Sequence, residues 1–386
     1  MKIAPEIEAK YGRTRLSGGE VLLTLVGSVG QVAVVPNTLK DFNVARAVCV
    51  IHPLPHISPE WIAICLRSPL SQHILNSRAN TTVQTTINLK DVRALPIPLP
   101  PMAERQNITG LVSALDDRVA LLRETNATLE AIAQALFKSW FVDFDPVHAK
   151  QQGIAPEGMD EATAALFPDS FEESELGLVP KGWRWSTLND AYEINPQRKL
   201  KKGEIAPYLD MANAPSSGHG AESVVQREMG SGSKFMNGDT LLARITPCLE
   251  NGKTAFVDFL AVDQNGWGST EFVVLRPRKP LPEYHAYLLA RHKPFRDFAI
   301  QSMSGTSGRQ RIQNDVLGHY LLALPTEEVA TAFGVIVTPI QQRISANNAQ
   351  AQTLATLRDT LLPRLISGQL RLPDTADAIT ETLSGI

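Results

Sequence analysis

A glycine-containing segment in the second half of the chain carries side chains that can hydrogen-bond to DNA bases. Residues 304–311 read Ser-Gly-Thr-Ser-Gly-Arg-Gln-Arg, and the candidate contacts are Thr306, Arg309, Gln310 and Arg311. Arginine can donate to O6 and N7 of guanine, and glutamine can pair with N6 and N7 of adenine. The small residues suit backbone contacts that would position the loop. A solvated connection is the alternative, and we favour DNA contact.

Basic residues elsewhere suit contacts to the phosphate backbone. The densest run contains Arg198, Lys199, Lys201 and Lys202, and phosphate contacts add affinity without sequence information. A solvated charge run is an equally good interpretation. Arg244 follows an apolar run, where a strand would deliver its side chain to a groove. In the first half, the basic candidates are Arg13, Arg15 and Arg46. Gln84 and Thr85 lie in the uncharged counterpart of the 304–311 loop, for which a solvated connection is favoured over DNA contact.

Motifs for catalysis or metal binding are missing from the sequence. No GxxxxGK[ST] phosphate-binding pattern occurs, and no Asn/Asp-Pro-Pro-aromatic segment for amino methylation is present. Asp143, Asp145 and His148 are better explained by a helix end followed by an Asp-Pro turn than by a metal site. The pair His52 and His56 is interrupted by prolines that exclude a helix. We therefore expect neither catalytic residues nor a metal site.

The elements that would position these residues occur twice. Gly19-Glu20-Val21-Leu22-Leu23 resembles Gly238-Asp239-Thr240-Leu241-Leu242, and Gly30–Val34 resembles Gly252–Phe256. Further pairs are Pro59-Glu60-Trp61 with Pro282-Glu283-Tyr284, Ile87–Val92 with Ile312–Val316, and Leu99-Pro100 with Leu324-Pro325. Such ordered similarity at a nearly constant offset predicts two copies of one mixed α/β unit, each followed by a long helix.

The two long helices are predicted from heptad spacing. Residues at alternating steps of three and four form one seam per helix. We infer that the two helices pair as an antiparallel coiled coil. An asparagine in each seam can fix the register, and a position at the edge of the seam is an equally good interpretation. In the second helix, Thr338-Pro339-Ile340-Gln341 predicts a helix start at Pro339 after a short preceding helix, and Pro363 should end or kink it. The principal seam residues are Leu115, Val119, Leu122, Asn126, Leu129, Leu136, Ile340, Ile344, Asn347, Leu354 and Leu361.

Composition narrows the class of protein. The chain has 386 residues, which suits two to three domains, and 37 Lys and Arg against 40 Asp and Glu, which excludes a globally basic nucleic-acid binder. The three cysteines are far apart and fit reduced, buried thiols. Neither a leader segment nor an apolar run long enough to span a membrane is apparent. We therefore expect a cytoplasmic location.

Several ordered strings resemble the specificity subunits of type I restriction–modification systems. They are Leu95–Pro101 with Glu104, Phe137–Phe144, Phe167–Phe171, Pro180–Trp183 and Leu362–Gly368. The resemblance covers nearly the whole chain. It implies an α+β fold in which two target-recognition domains are joined by two long antiparallel helices that form a coiled-coil spacer.

The resemblance also implies a domain plan. We expect a first recognition domain over 1–101, a spacer helix over 102–145, a linker over 146–182, a second recognition domain over 183–325, a second spacer helix region over 326–368 and a tail over 369–386. The second domain has about 55 residues before Gly238, whereas the first has only 18 before Gly19. We therefore expect the first domain to be incomplete at its N-terminus.

Function follows from the resemblance as well. It implies a non-catalytic subunit that reads a bipartite double-stranded DNA target and docks methyltransferase (modification) subunits, two in number, on its helices. Restriction subunits would join through the complex. S-adenosylmethionine, ATP and Mg²⁺ would belong to those partners, and no cofactor is expected in this chain. The alternative is a truncated scaffold that binds modification subunits without reading a full bipartite site.

Overall fold

The computed structural model describes residues 11–44, 47–79, 85–221, 223–306 and 308–372. The chain divides into two compact units. Unit 1 contains Met1–Leu121 and Gln350–Ile386, and unit 2 contains Leu122–Ala349. Strands and helices are mixed in both units, which confirms the expected α+β class.

Unit 1 is built on a three-stranded antiparallel sheet of order β2-β1-β3. The first helix after the sheet begins at a proline, and the Ser58 side chain caps it by accepting from the Trp61 N–H at 3.2 Å. Trp61 is fully buried, and its indole donates to the Pro98 carbonyl at 2.9 Å. The elements are β1 (Val21–Thr24), β2 (Val32–Val34), β3 (Val48–Ile51), α1 (Pro59–Arg67), α2 (Pro69–Arg78), α3 (Leu89–Arg93) and the first part of α4 (Met102–Phe141).

The segment expected to be a linker is ordered. It forms α5 (Asp145–Gln151), α6 (Glu161–Ala165) and a hairpin of β4 (Phe171–Ser174) and β5 (Gly177–Pro180). Val147, Phe167 and Val179 are buried in the main core of unit 2. Apolar side chains at these positions tie the segment to that core, so it belongs to the folded unit.

The rest of unit 2 contains two four-stranded sheets and one strand pair. The sheets have the orders β12-β11-β14-β7 and β10-β13-β8-β9, and the pair is β15-β6. The elements are β6 (Arg184–Thr187), α7 (Leu188–Ala191), β7 (Tyr192–Ile194), β8 (Ile205–Leu209), β9 (Val225–Glu228), β10 (Ser233–Met236), β11 (Thr240–Ala243), β12 (Thr254–Phe256), β13 (Asn265–Gly268), β14 (Phe272–Pro277), α8 (Tyr284–Arg291), α9 (Lys293–Gln301), α10 (Asn314–Gly318), β15 (Leu321–Leu324) and the first part of α11 (Glu327–Ile366).

The repeat seen in the sequence is a repeat of backbone pairing. In unit 1, Val21 pairs with Val34 and Leu22 with Ala33. In unit 2, Thr240 pairs with Phe256 and Leu241 with Ala255. The matched sequence positions therefore hold the same register. The helices that follow, α1 to α3 and α8 to α10, come in the same order.

The long helices α4 and α11 each have 40 residues and run antiparallel within each unit. In unit 2, Asn126 faces Asn347, and the Trp140 and Phe333 rings lie 5.5 Å apart. In unit 1, Asp116 pairs with Arg358. Every seam residue is buried or half-buried, namely Val112, Leu115, Val119, Leu122, Asn126, Leu129, Ala133, Leu136 and Trp140 on α4, and Val337, Ile340, Ile344, Asn347, Ala351, Leu354, Arg358, Leu361 and Leu365 on α11.

The predicted helix start at Pro339 is wrong. Helix α11 is continuous from Glu327 through Pro339. An internal proline costs about 3 kcal/mol, because one hydrogen bond is lost and the ring crowds the carbonyl four residues earlier. Here Pro339 and Val335 lie on the exposed side, where water can satisfy that carbonyl. The buried side chains of Phe333, Val337 and Ile344 hold the helix on both sides of the proline.

Pro363 does not end α11 either, since the helix continues to Ile366. The end is set by Gly368, which has a φ of 74°. Its N–H donates to the Leu365 carbonyl at 3.2 Å, and the Leu370 N–H donates to Arg364 at 3.0 Å. A left-handed glycine that closes the last turn in this way is a common helix end. The expected tail lies outside the described residues from position 373 onward.

Within the described residues, no helix is long and apolar enough to cross a membrane.

Candidate DNA-binding surface

The loop after α9 is a tight turn fastened to an extension of β11. Ser304 and Arg311 pair across it, with backbone hydrogen bonds of 2.9 and 3.0 Å. The Thr246 N–H donates to the Gln310 carbonyl at 3.0 Å, and the Gln310 N–H donates to the Thr246 hydroxyl at 3.1 Å. Thr306 and Arg309 are exposed at the tip. The described ends of the predicted loop are therefore fixed to the sheet, and Arg309 is exposed next to them.

A carboxylate lies beside this loop. Both oxygens of Glu271 accept from Nε of Arg311, at 3.0 and 2.8 Å, and Oε1 also accepts from Nη2. The hydrogen bonds from Arg311 lower the pKa of Glu271, and the charges of Arg311, Arg244 and Arg309 act in the same direction. Glu271 is therefore ionised at neutral pH, and the carboxylate keeps the Arg311 guanidinium in place.

Arg244 belongs to the same cluster. Its backbone N–H donates to the Glu271 carbonyl at 3.0 Å. Its guanidinium donates to the Asn314 and Gln313 side chains at 3.2 and 3.3 Å. We call Arg244, Glu271, Arg309, Arg311, Gln313 and Asn314 the arginine cluster. The structure thus brings together Arg244 and the 304–311 loop, which are far apart in sequence.

Sequence reasoning missed three members of this cluster, which are Glu271, Gln313 and Asn314. A lone acidic residue before a strand gives no local sign of an arginine partner 40 positions away. The repeat offers a weak signal, because Gln313 and Asn314 immediately follow the candidate loop within a matched string.

The residues of the basic run differ in whether they are ion-paired or exposed. Arg198 donates to both oxygens of the fully buried Asp239, at 3.1 and 2.7 Å. A buried carboxylate needs such a partner, so Arg198 stabilises the fold and is not available for a phosphate in this arrangement. Lys199, Lys201 and Lys202 are exposed. Only these lysines retain the accessibility that the sequence-based proposal requires.

A shallow groove of about 510 Å³ lies next to the basic run. Lys234 lines it, and its ammonium donates to the Leu200 carbonyl at 2.6 Å. Thr270, which precedes Glu271, lines the same groove. The groove therefore extends from the basic run to the edge of the arginine cluster. Its lining residues are Asn195, Pro196, Gln197, Arg198, Gly232, Ser233, Lys234, Thr270 and Val274.

The corresponding residues of unit 1 carry no arginine cluster among the described positions. Thr85 accepts from the Gly27 N–H through its carbonyl at 3.0 Å, and Thr86 pairs with Val26. Arg15 is exposed and bridges to Asn43. Arg13 lies in the short 3-10 turn Gly12–Thr14. Gln84 and Arg46 lie outside the described residues.

The two seam asparagines bond to each other in unit 2. The Asn347 amide donates to Oδ1 of Asn126 at 2.8 Å, and the Asn126 amide donates to Asn348 at 2.8 Å. A Cβ atom on Gly220 would lie 2.6 Å from the Asn348 amide, so a loop of the unit packs closely over this layer. The polar layer is satisfied internally, as a register-setting device requires.

The remaining candidates have ordinary structural surroundings. Asp143 forms an ion pair with Lys138, and the His148 ring lies 4.6 Å from that of Phe171. Among the residues whose placement is described, no three or more His, Cys, Asp or Glu side chains converge as a metal site would need. Cys65 is buried, and burial raises the pKa of its thiol to about 12.

Comparisons with known proteins agree on one family. Residues 2–131 match the model of the type I restriction modification DNA specificity domain. The HindI specificity subunit of Haemophilus influenzae is 26% identical over 88% of this chain and 84% of its own length. The MjaIX specificity subunit of Methanocaldococcus jannaschii is 22% identical over 92% and 78%.

A solved specificity subunit from M. genitalium is also similar, with 17% identity, a TM-score of 0.47 and coverage of 90% of this chain and 83% of that chain. The matched domain model and the relatives along nearly the full length bear the same description. Residues 2–131 are therefore a type I restriction modification DNA specificity domain, and the chain is similar along most of its length to specificity subunits of type I restriction enzymes.

Proposed function

We propose that this chain reads a bipartite double-stranded DNA sequence, with one half-site bound by each unit. The observation that carries the proposal for unit 2 is the arginine cluster on a fastened loop. Arg309 is exposed there, and Arg311 and Arg244 lie beside it with polar partners that can also face base edges. The repeated backbone frame supports an equivalent task for unit 1.

The long helices are proposed to set the gap between the half-sites and to dock two modification subunits. A helix of 40 residues is about 60 Å long, compared with roughly 34 Å for one turn of DNA. Both helices run through both units, which suits a spacer. The internally satisfied asparagine layer supports one fixed register of the pair.

Catalysis is assigned to the partners. The relatives are named as specificity subunits of restriction enzymes, and we infer that this chain acts with DNA and with other subunits of the complex. S-adenosylmethionine is proposed to bind the modification subunits, and ATP and Mg²⁺ the restriction subunits. This chain would contribute sequence recognition without a cofactor or catalytic residue of its own.

A scaffold with a single functional reader is the second candidate. It is favoured by one observation, which is the uncharged character of unit 1 at Thr85 and Thr86. In that case the complex would assemble and would recognise only the half-site of unit 2.

Co-expression with the modification subunit and mapping of methylated bases in the host DNA tests both candidates. A split motif that disappears when this chain is deleted supports the bipartite reader. A single undivided motif supports the scaffold with one reader, and assembly without any methylated motif contradicts DNA reading. Inserting seven residues into α4 and seven into the matching level of α11 should lengthen the gap and leave both half-sites unchanged. An unaltered gap would argue against the spacer.

A further inference from the structure

Glu271 is an unusual residue for a surface that would meet DNA. Its carboxylate repels phosphates, and unit 1 has Ala47 at the matching backbone position. The match rests on backbone hydrogen bonds, because Leu25 donates to the Ala47 carbonyl at 2.7 Å and Arg244 donates to the Glu271 carbonyl at 3.0 Å. The fold therefore does not require an acidic residue at this position, and DNA recognition is a possible reason for its presence.

The carboxylate retains capacity to accept hydrogen bonds. An ionised carboxylate has about four acceptor positions. Among the described residues, the hydrogen bonds to the Glu271 side chain come from Arg311. The Glu271 side chain is 22% exposed and that of Arg311 is 41% exposed. The pair is therefore accessible as a unit, with a donor and an acceptor side by side.

Base edges in the major groove offer a partner for each member of the pair. Guanine presents two acceptors, O6 and N7, which match an arginine, and cytosine presents the N4 amino donor, which matches a carboxylate. Adenine presents a comparable amino group at N6. A carboxylate also penalises guanine O6 and thymine O4 in the same place, because acceptors then face each other.

We propose that Glu271 is a specificity-determining residue of unit 2, which accepts a hydrogen bond from an exocyclic amino group of a base while Arg311 donates to a guanine. The arrangement fits one G·C pair, with Arg311 on the guanine and Glu271 on the cytosine. Adenine N6 in a neighbouring pair has the same amino chemistry. The proposal rests on the proposed function, since it requires that unit 2 read DNA.

Base analogues test the proposal without altering the protein. The complete complex with modification subunits is bound to its mapped target, in which single bases are replaced. Cytosine is replaced by 2-pyrimidinone and adenine by purine, each of which lacks the exocyclic amino group. One replacement in the half-site of unit 2 should weaken binding by about 10- to 100-fold, as expected for a lost hydrogen bond to a charged group. A cytosine at that position identifies the G·C pair, and an adenine identifies the neighbouring-pair arrangement.

The Glu271→Ala variant completes a double-mutant cycle with the base analogue. The sensitive analogue should carry less than a threefold further penalty in this variant, because its partner is already missing. Asp297→Asn is the matched control, since it removes an exposed carboxylate that pairs with Lys293 on α9. The control should keep the full sensitivity to the analogue.

The outcomes of these experiments separate the possibilities. If the Glu271→Ala complex is as sensitive to the analogue as the unaltered complex, Glu271 does not have the proposed role. The same holds if no base replacement in the half-site weakens binding by the unaltered complex. An equal loss of affinity for all sequences in Glu271→Ala would mean that the carboxylate only fastens Arg311. If the unaltered complex methylates no motif and binds no sequence selectively, the proposed function itself fails. If Glu271→Ala does not assemble, Glu271→Met replaces it in the same cycle, because methionine keeps the length of the side chain without a carboxylate acceptor.

Discussion

The two units share a backbone frame and differ in the side chains that this frame presents. Val26 pairs with Thr86 in unit 1, and Ile245 pairs with Arg311 in unit 2. Ile87 donates to the Leu25 carbonyl at 2.9 Å, and Ile312 donates to Arg244 at 3.0 Å. Because these hydrogen bonds use main-chain groups, the side chains can vary freely between the units. The comparison teaches that the side chains at these positions can change from uncharged to ionic on an unchanged backbone frame.

A second difference concerns the buried acid at the start of the first repeated strand. Glu20 is capped by its own turn, from the Ser17 N–H at 2.8 Å and the Gly18 N–H at 2.9 Å. Asp239 is held by Arg198 and Arg276, with the shortest N to O distances at 2.7 and 3.3 Å. The same position is thus neutralised locally in unit 1 and by distant ionic partners in unit 2.

The largest expected effect is a loss of unfolding free energy in Asp239→Asn, which should exceed the loss in Glu20→Gln. The first change leaves the largely buried Arg198 guanidinium without its carboxylate partner, whereas Arg276 keeps Glu283, and it should cost about 3–5 kcal/mol. The second change keeps one acceptor oxygen and should cost about 1 kcal/mol. Chemical denaturation of the full chain, followed by tryptophan fluorescence, measures both. Equal losses would show that the two acids are held in equivalent ways.

The proposed difference between ionic DNA contacts in unit 2 and uncharged contacts in unit 1 is tested by replacing two residues in each unit. Arg309→Ala with Arg311→Ala should weaken selection of the unit 2 half-site by about 100-fold, since each lost base contact is worth about 1–3 kcal/mol. Thr85→Ala with Thr86→Ala should change the unit 1 half-site by less than about threefold, because no charge is removed. Methylated motifs and duplex binding of the assembled complex are the measurements. A motif unchanged by the arginine substitutions would refute their assignment.

A smaller effect on the free energy of unfolding is expected when the pH is lowered. It comes from a buried histidine in unit 2, at a repeat position where unit 1 has an isoleucine. His285 follows Tyr284, as Ile62 follows Trp61. Burial lowers the pKa of His285 from 6.5 to about 3. Below pH 6.5 the unfolded chain therefore binds a proton that the folded chain does not, and stability falls as the pH falls toward 3.

The loss at pH 5 relative to pH 7 should be about 2 kcal/mol from this histidine. His285→Leu should remove that part of the pH dependence, although it also leaves the Tyr192 hydroxyl without its partner. The difference in unfolding free energy between the variant and the unaltered chain should consequently shift in favour of the variant on acidification. A difference that stays constant from pH 7 to pH 5 would contradict the assignment.

Much of the fold could be predicted because it is encoded in local patterns. The spacing of the repeated strings predicted two related units, and their strands hold the same register. The heptad spacing predicted the faces along which α4 and α11 bury side chains. Both signals depend on the period of side chains along one element, which a sequence displays directly.

The proline positions show where local rules were overridden. Pro339 and its neighbours have every local feature of a helix start, yet α11 continues through it. The cost of the proline is offset by the burial of Phe333, Val337 and Ile344 around it. That burial depends on elements distant in sequence, so no local pattern reports it.

By itself, the sequence determined the family resemblance, the two-unit plan and the paired helices, because each follows from ordered strings or from a regular period. Only the tertiary structure decided which basic residues remain available for DNA. It paired Arg198 with Asp239 and placed Glu271 between Arg244 and Arg311. Ion pairs form between residues that the sheet brings together across about 40 positions of sequence. Their energy depends on distance and burial, which become defined only when the chain has folded.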